Sequence, residues 1–139
     1  MKPFLFQSPT KVRFGVGASL ELAALLAESG AKRPMIVSGT HVSKTAGFLR
    51  AKEALCREGY EPTLYLSAVP DPPIETVDEA AAFLRESGCD AVIAIGGGSS
   101  MPPYAWAVQA ACGVPVFDFT TLIRWLHSSV TQKPYCGFL

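Results

Sequence analysis

The sequence is short of the residues that mark several functional classes. Its 139 residues include four cysteines and two histidines, with no C-x-x-C pair and no histidine at zinc-ligand spacing from a cysteine. We therefore expect reduced thiols. The net charge is zero, so the chain lacks the basic field that binding to nucleic acid or to an anionic membrane usually requires. No apolar run approaches the length of a signal peptide or a membrane span, and we expect a cytoplasmic protein.

What the sequence does contain is enough apolar material for a core. Hydrophobic residues make up 49% of the chain and charged residues 17%, which favours a folded chain over a disordered one. The length fits one domain and excludes two full domains.

Three helical patterns end in a glycine at regular intervals. Gly30, Gly59 and Gly88 lie 29 residues apart, each where a left-handed residue would cap a helix. Strand-like runs follow the caps at residues 35–37, 63–66 and 91–95. Because alternating strands and helices require crossover connections, the predicted class is α/β, a Rossmann-like parallel sheet with flanking helices.

Two further predictions concern the ends of elements. Residues 11–15 alternate polar and apolar side chains and predict an N-terminal edge strand or hairpin arm. Thr76 and Glu79 have the spacing of a capping box, which predicts the start of the third helix at Thr76 and places Asp78 in its first turn.

The most specific motif follows the third predicted strand. Gly96, Gly97 and Gly98 precede Ser99 and Ser100. Glycines let backbone amides approach an anion, and the hydroxyls add donors. Because ligands bind beyond the carboxyl ends of parallel strands, these five residues, called the glycine loop below, predict a pyrophosphate site. A tight turn without a ligand is the alternative.

The sequence around the glycine loop resembles a known family. Residues 90–101 look like the phosphate-loop signature of iron-containing alcohol dehydrogenases, a family related to glycerol dehydrogenases and dehydroquinate synthases. Residues 14–18 resemble the family's turn before the first helix, and residues 69–73 its proline-containing segment. The resemblance extends across residues 3–101. It implies NAD(P)- and metal-dependent interconversion of a small alcohol and an aldehyde or ketone.

The sequence departs from the family where the chemistry would occur. In the family, a C-terminal helical domain supplies Asp and His ligands for iron or zinc, and we find no counterpart here. His41 and His127 have no carboxylate partner at helical spacing. Pro102 and Pro103 stand where the family commonly continues with Asp-x-x-Lys. We therefore predict no catalytic and no metal-ligating residue, and we expect the 139-residue chain alone to be inactive.

The composition changes after Met101. The charged residues of the remaining segment are Asp118, Arg124 and Lys133. We predict an NAD(P)-binding domain over residues 1–101 and an atypical tail over 102–139, frameshifted or divergent. A short helix over residues 104–112 and a strand over 114–117 remain open.

Cofactor selectivity is predicted at the end of the first strand, where Ser38, Gly39 and Thr40 follow an apolar run. In NAD-preferring relatives an acidic residue near this place binds the ribose hydroxyls. Gly39 occupies the place, which leaves room for the 2′-phosphate of NADP, with Thr40 and Lys44 as contacts. The alternative is that Gly39 only makes a turn, so both NADP and NAD stay open.

The sequence leaves several alternatives to this function. Asp71 and Asp78 lie in a predicted turn and a helix start, and we do not expect them to form an acid–base pair. We expect Cys89 to lie at the entry to a strand and not to act as a nucleophile. A non-catalytic nucleotide-binding or interaction module, and a glycerol dehydrogenase or dehydroquinate synthase-like relative, remain as alternatives. An exposed domain face predicts either self-association into a homo-oligomer or aggregation.

Overall fold

The computed structural model describes residues 17–69, 71–96 and 112–120. Within these ranges the helices are α1 (Leu22–Ser29), α2 (Ala46–Arg57) and α3 (Ile74–Glu86). The strands are β1 (Pro34–Ser38), β2 (Thr63–Tyr65), β3 (Ala91–Gly96) and β4 (Val116–Thr120). Short 3-10 turns, Ala18–Glu21 and Val42–Lys44, precede α1 and α2. In this part of the chain, none of the helices combines the length and the apolar character that crossing a bilayer requires.

The four strands form one parallel sheet in the order β2–β1–β3–β4. Helix α2 connects β1 to β2 on one side, and α3 carries the chain back from β2 to β3 on the other side of β1. Strand β2 is therefore added on one side of β1, and β3 and then β4 are added on the other side. The predicted α/β class, with a Rossmann-like parallel sheet and flanking helices, is confirmed.

Two apolar clusters cover the two faces of the sheet. One joins α1 and α2 to the face that carries Ile36 and Ile93, and the other joins α3 to the face that carries Val37 and Val92. Strand β3 lies between both clusters, and every one of its residues is buried. Its uninterrupted apolar sequence is the pattern of a central parallel strand covered on both sides.

The three helix ends share one hydrogen-bonding pattern. Gly30, Gly59 and Gly88 adopt left-handed φ angles of 76°, 86° and 62°. The amide of each glycine donates to the carbonyl three residues earlier, and the next amide donates to the carbonyl five residues earlier. These are Schellman motifs, which satisfy carbonyls that a helix end would leave without partners. The predicted glycine caps are confirmed.

The predicted start of the third helix was wrong. Helix α3 begins at Ile74, with Pro73 as its N-cap, so Thr76 lies inside the first turn. The Thr76 hydroxyl donates to the Pro73 carbonyl at 2.8 Å. The acid in the first turn is Glu75, and Asp78 lies further along the helix. Ile74 is 76% exposed, so it does not belong to the apolar stripe by which α3 packs on the sheet. The periodicity of that stripe therefore did not indicate that the helix begins at Ile74.

The remaining fold predictions have different outcomes. The edge strand at residues 11–15 lies outside the described residues, as does nearly all of the helix proposed for residues 104–112. A strand in the tail is confirmed as β4, which starts two residues later than proposed and pairs with β3. The domain boundary after residue 101 stays a prediction.

Candidate dinucleotide-binding site

The carboxyl ends of β1 and β3 lie side by side at the centre of the sheet. Ser38 is paired with Ile95, and Gly96 is the last residue of β3. The chain continues from β1 to β2 and from β3 to β4, in opposite directions across the sheet. In open parallel sheets, ligands bind beyond the carboxyl edge at such a topological switch point, in a crevice. We call this place the crevice below.

The structure brings four of the sequence-predicted site residues to the crevice. Ser38 ends β1, Gly39 and Thr40 follow it, and Gly96 ends β3. Gly96 is buried and is paired with Thr120 of β4. The rest of the glycine loop, Gly97, Gly98, Ser99 and Ser100, lies outside the described residues.

Ser38 is fully buried, with 0% of its surface exposed. Its hydroxyl donates to the Ile95 carbonyl at 2.7 Å, across the last pair of the β1–β3 ladder. Its carbonyl accepts a bond from the Ala68 amide at 3.3 Å, in the loop that follows β2. Ser38 therefore joins three segments of the carboxyl edge, and its hydroxyl is turned into the sheet.

Gly39 lies against the same loop. A Cβ atom built on Gly39 would stand 3.3 Å from the Ala68 carbonyl oxygen, closer than most real Cβ contacts. Since the neighbour is backbone, a side chain at position 39 would have to displace the loop. The structure thus places the backbone of Gly39 directly against the loop that follows β2.

Thr40 and Lys44 are exposed next to Gly39. The Thr40 hydroxyl donates to the Leu66 carbonyl at 3.4 Å, a long bond, and the Thr40 carbonyl accepts from the Ser43 hydroxyl at 2.9 Å. Lys44 ends the short turn that leads from β1 to α2, and it is exposed.

The loop between β2 and α3 carries backbone strain. Asp71 adopts a φ of 46°, in the left-handed region that residues with side chains rarely occupy. It is exposed, as is Asp78 on α3. Asp71 stands next to Pro72 and Pro73 in sequence, and proline restricts the residue before it. Strained residues of this kind concentrate at ligand-binding loops.

The described residues offer no metal site. Within residues 17–69, 71–96 and 112–120, no group of three or more His, Cys, Asp and Glu side chains could hold a metal ion. His41 is exposed, and His127 lies outside these ranges. Cys89 is a buried free thiol at the entry to β3, where the sequence predicted a structural role.

Two site residues were not anticipated from the sequence. Leu66 and Ala68 contribute backbone groups that bond to Thr40 and Ser38. Their side chains carry no functional group, so no motif marks them. One signal was available in the sequence: a single serine ends the otherwise apolar β1. Because a buried hydroxyl needs a hydrogen-bond partner, this serine indicates a polar contact at the end of the strand.

The chain is similar to curated and structurally determined alcohol dehydrogenases. It is 29% identical over 115 residues to choline dehydrogenase of Bacillus subtilis (strain 168), covering 82% of this chain and 29% of that protein. It is 33% identical over 93 residues to long-chain-alcohol dehydrogenase 1 of Geobacillus thermodenitrificans (strain NG80-2), covering 67% of this chain and 24% of that protein. It thus spans less than a third of the length of either relative.

A solved structure and a family model agree with these relatives. NADH-dependent butanol dehydrogenase A of Thermotoga maritima superposes with a TM-score of 0.78 at 25% identity, covering 87% of this chain and 35% of that one. The model of the iron-containing alcohol dehydrogenase family matches residues 9–120, which include all four strands of the sheet. The chain therefore belongs to the iron-containing alcohol dehydrogenase family.

Proposed function

We propose that the chain forms the NAD(P)-binding part of a metal-dependent alcohol dehydrogenase, which interconverts an alcohol and an aldehyde or ketone by hydride transfer. The observation that carries the proposal is the topological switch point between β1 and β3, with the glycine loop starting at the carboxyl end of β3. Open parallel sheets bind dinucleotides at such a switch point. Family membership supports the reaction class.

The glycine loop would bind the pyrophosphate of the dinucleotide. Strand β3 brings Gly96 to the carboxyl edge, and Gly97 and Gly98 follow in sequence. Without side chains, their amides can approach phosphate oxygens, and the hydroxyls of Ser99 and Ser100 can donate further bonds.

The segment after β1 would bind the adenosine ribose. Position 39 carries no carboxylate, so the repulsion that excludes a 2′-phosphate is missing. Thr40 and Lys44 are exposed beside it and can donate to phosphate oxygens. We therefore favour NADP over NAD.

The chain's own share of the reaction is to bind the dinucleotide and to orient its nicotinamide. In the complete enzyme, iron or zinc would polarise the alcohol oxygen. The described residues do not offer ligands for that metal, so we assign them no step that involves it. We expect the 139-residue chain to bind the cofactor without turnover.

The remaining partners follow from the same proposal. The complete enzyme would act on a small alcohol or aldehyde in the cytoplasm. A formal net charge of zero supports a protein that binds neither nucleic acid nor a membrane surface. We also propose that it forms a homo-oligomer.

A fluorescence titration tests the proposal directly. The purified chain is titrated with NADPH and, separately, with NADH. We expect saturable binding of both, with NADPH bound more tightly. An alcohol-dependent absorbance change, measured after adding iron or zinc, tests turnover. Failure of both nucleotides to bind would overturn the proposal, and turnover would contradict the expected inactivity of the chain.

A pair of variants separates the glycine loop from general charge effects. Gly98→Asp adds a side chain and a negative charge beside the proposed pyrophosphate, and we expect it to abolish binding. Ser87→Asp adds the same charge in the exposed turn before β3, at the opposite edge of the sheet, and should bind NADPH normally. Equal binding by both variants would exclude the glycine loop as the phosphate site.

A further inference from the structure

Among the described residues, Ser38 is the polar residue that lies buried in the core. The rest of β1 is apolar and buried. Since side chains alternate along a strand, Ser38 points to the same face as Ile36, which packs under α1 and α2. A hydroxyl in such surroundings destabilises the fold unless it is bonded. Its bond to the Ile95 carbonyl, at 2.7 Å, meets that need.

The position of this bond relates it to the crevice. Ile95 is the residue directly before Gly96, so its carbonyl belongs to the peptide group that leads into the glycine loop. Ser38 and Ile95 form the last pair of the β1–β3 ladder. The hydroxyl therefore adds a side-chain bond at the point where the ladder ends and the loop begins.

Ser38 also fixes the opposite side of the crevice. Its carbonyl accepts from the Ala68 amide at 3.3 Å, in the loop that limits the space at Gly39. One residue thus connects the end of β3 with the loop after β2. Both segments adjoin the proposed dinucleotide site.

We propose that Ser38 is a positioning residue for the glycine loop. Its hydroxyl holds the Ile95 carbonyl, and with it the peptide group from which the glycine loop starts, and it does not touch the ligand. The inference rests on the proposed function and assigns a role to Ser38 within it. Because preorganised donors bind an anion without an ordering cost, losing this bond should weaken dinucleotide binding.

Two variants of equal shape isolate the hydroxyl. Ser38→Thr keeps it, and Ser38→Val replaces it with a methyl group, so both introduce the same crowding. We expect Ser38→Thr to bind NADPH within about twofold of the unmodified chain, and Ser38→Val to bind about tenfold more weakly, as for one buried hydrogen bond. Ser38→Ala, which adds no volume, should resemble Ser38→Val and serves if the larger side chains prevent folding.

A control variant removes a similar bond elsewhere. The Ser29 hydroxyl donates to the Leu26 carbonyl at 2.8 Å, at the end of α1. Ser29→Ala should bind NADPH like the unmodified chain, whatever its effect on the unfolding free energy. If Ser29→Ala and Ser38→Ala weaken binding equally, or if Ser38→Val binds as well as Ser38→Thr, the positioning role is refuted.

Amide hydrogen exchange without nucleotide provides an independent readout. We expect Ser38→Val to raise the exchange rate of residues 96–100 relative to Ser38→Thr, and to leave α1 unchanged. Unchanged exchange in the glycine loop would overturn the inference. This measurement also distinguishes the two claims: a chain that binds no dinucleotide refutes the proposed function, whereas exchange still reports whether Ser38 holds the loop.

Discussion

Asp90 and Arg33 exchange hydrogen bonds at the amino ends of β3 and β1. The Arg33 amide donates to the Asp90 carboxylate at 2.7 Å, and the Asp90 amide donates to the Arg33 carbonyl at 2.9 Å. The Lys32 amide donates to the same carboxylate at 3.1 and 3.0 Å. The carboxylate of the residue directly before β3 thus satisfies two amides that precede β1.

The first prediction concerns this carboxylate. Asp90→Ala removes the acceptor for both amides, and we expect a loss of about 1–2 kcal/mol in the free energy of unfolding, since solvent partly screens a half-exposed group. Asp90→Asn keeps one acceptor oxygen, so its unfolding free energy should lie between that of the unmodified chain and that of Asp90→Ala. Urea denaturation measures both. Asp78→Ala, on the exposed face of α3, should change stability by less than about 0.5 kcal/mol.

The second prediction concerns the left-handed helix caps. Gly59 has a φ of 86°, and a Cβ there would meet nothing within 4 Å. Gly59→Ala should therefore lower the unfolding free energy by about 1–2 kcal/mol through backbone strain alone. Gly47→Ala, in α2 with the same open surroundings, should raise it by about 0.5–1 kcal/mol. Thermal unfolding of the two variants checks the opposite signs, and a loss at both positions would contradict the explanation.

The third prediction concerns the contact at Gly39. Gly39→Ala places a Cβ 3.3 Å from the Ala68 carbonyl, and displacing this backbone should lower stability by about 1 kcal/mol. The φ of Gly39 is not in the left-handed region, so the loss would come from crowding. If urea denaturation shows Gly39→Ala to be as stable as the unmodified chain, the loop that carries Ala68 moves without a cost in free energy.

The fourth prediction concerns cofactor selectivity. Gly39→Asp introduces a carboxylate that repels the 2′-phosphate, so the ratio of NADPH to NADH affinity should fall by at least about tenfold. Because the loop at Ala68 must move, we expect NADH affinity not to improve. Parallel titrations of the two nucleotides measure the ratio. Gly39→Asn, which has nearly the same shape and no charge, separates repulsion from crowding; an equal fall in both variants would exclude repulsion.

The parts of the fold that local physics determines could be predicted from the sequence. Strand β3 is buried on both faces and so is apolar throughout, and Gly30, Gly59 and Gly88 mark helix ends because only glycine adopts their φ angles without strain. The start of α3 could not be predicted, because Ile74 is an apolar residue that faces solvent.

The site was predictable in outline only. The sequence predicts a role for the glycine loop and for the residues after β1, and the sheet topology brings Gly39 and Gly96 to one edge. The contact between Ser38 and Ile95 spans 57 residues of sequence. Such a partner depends on strand order and register, which no local pattern encodes. The Ala68 carbonyl was not predictable either, because every residue has one.

A side-chain hydrogen bond lies at each end of the ladder between β1 and β3. At the amino end the Asp90 carboxylate accepts it, and at the carboxyl end the Ser38 hydroxyl donates it. Each end of the pairing is thus held by a side-chain hydrogen bond in addition to the bonds of the ladder. Substitutions that remove either bond should let that end of the ladder open more often, while the pairing between the two ends stays in place.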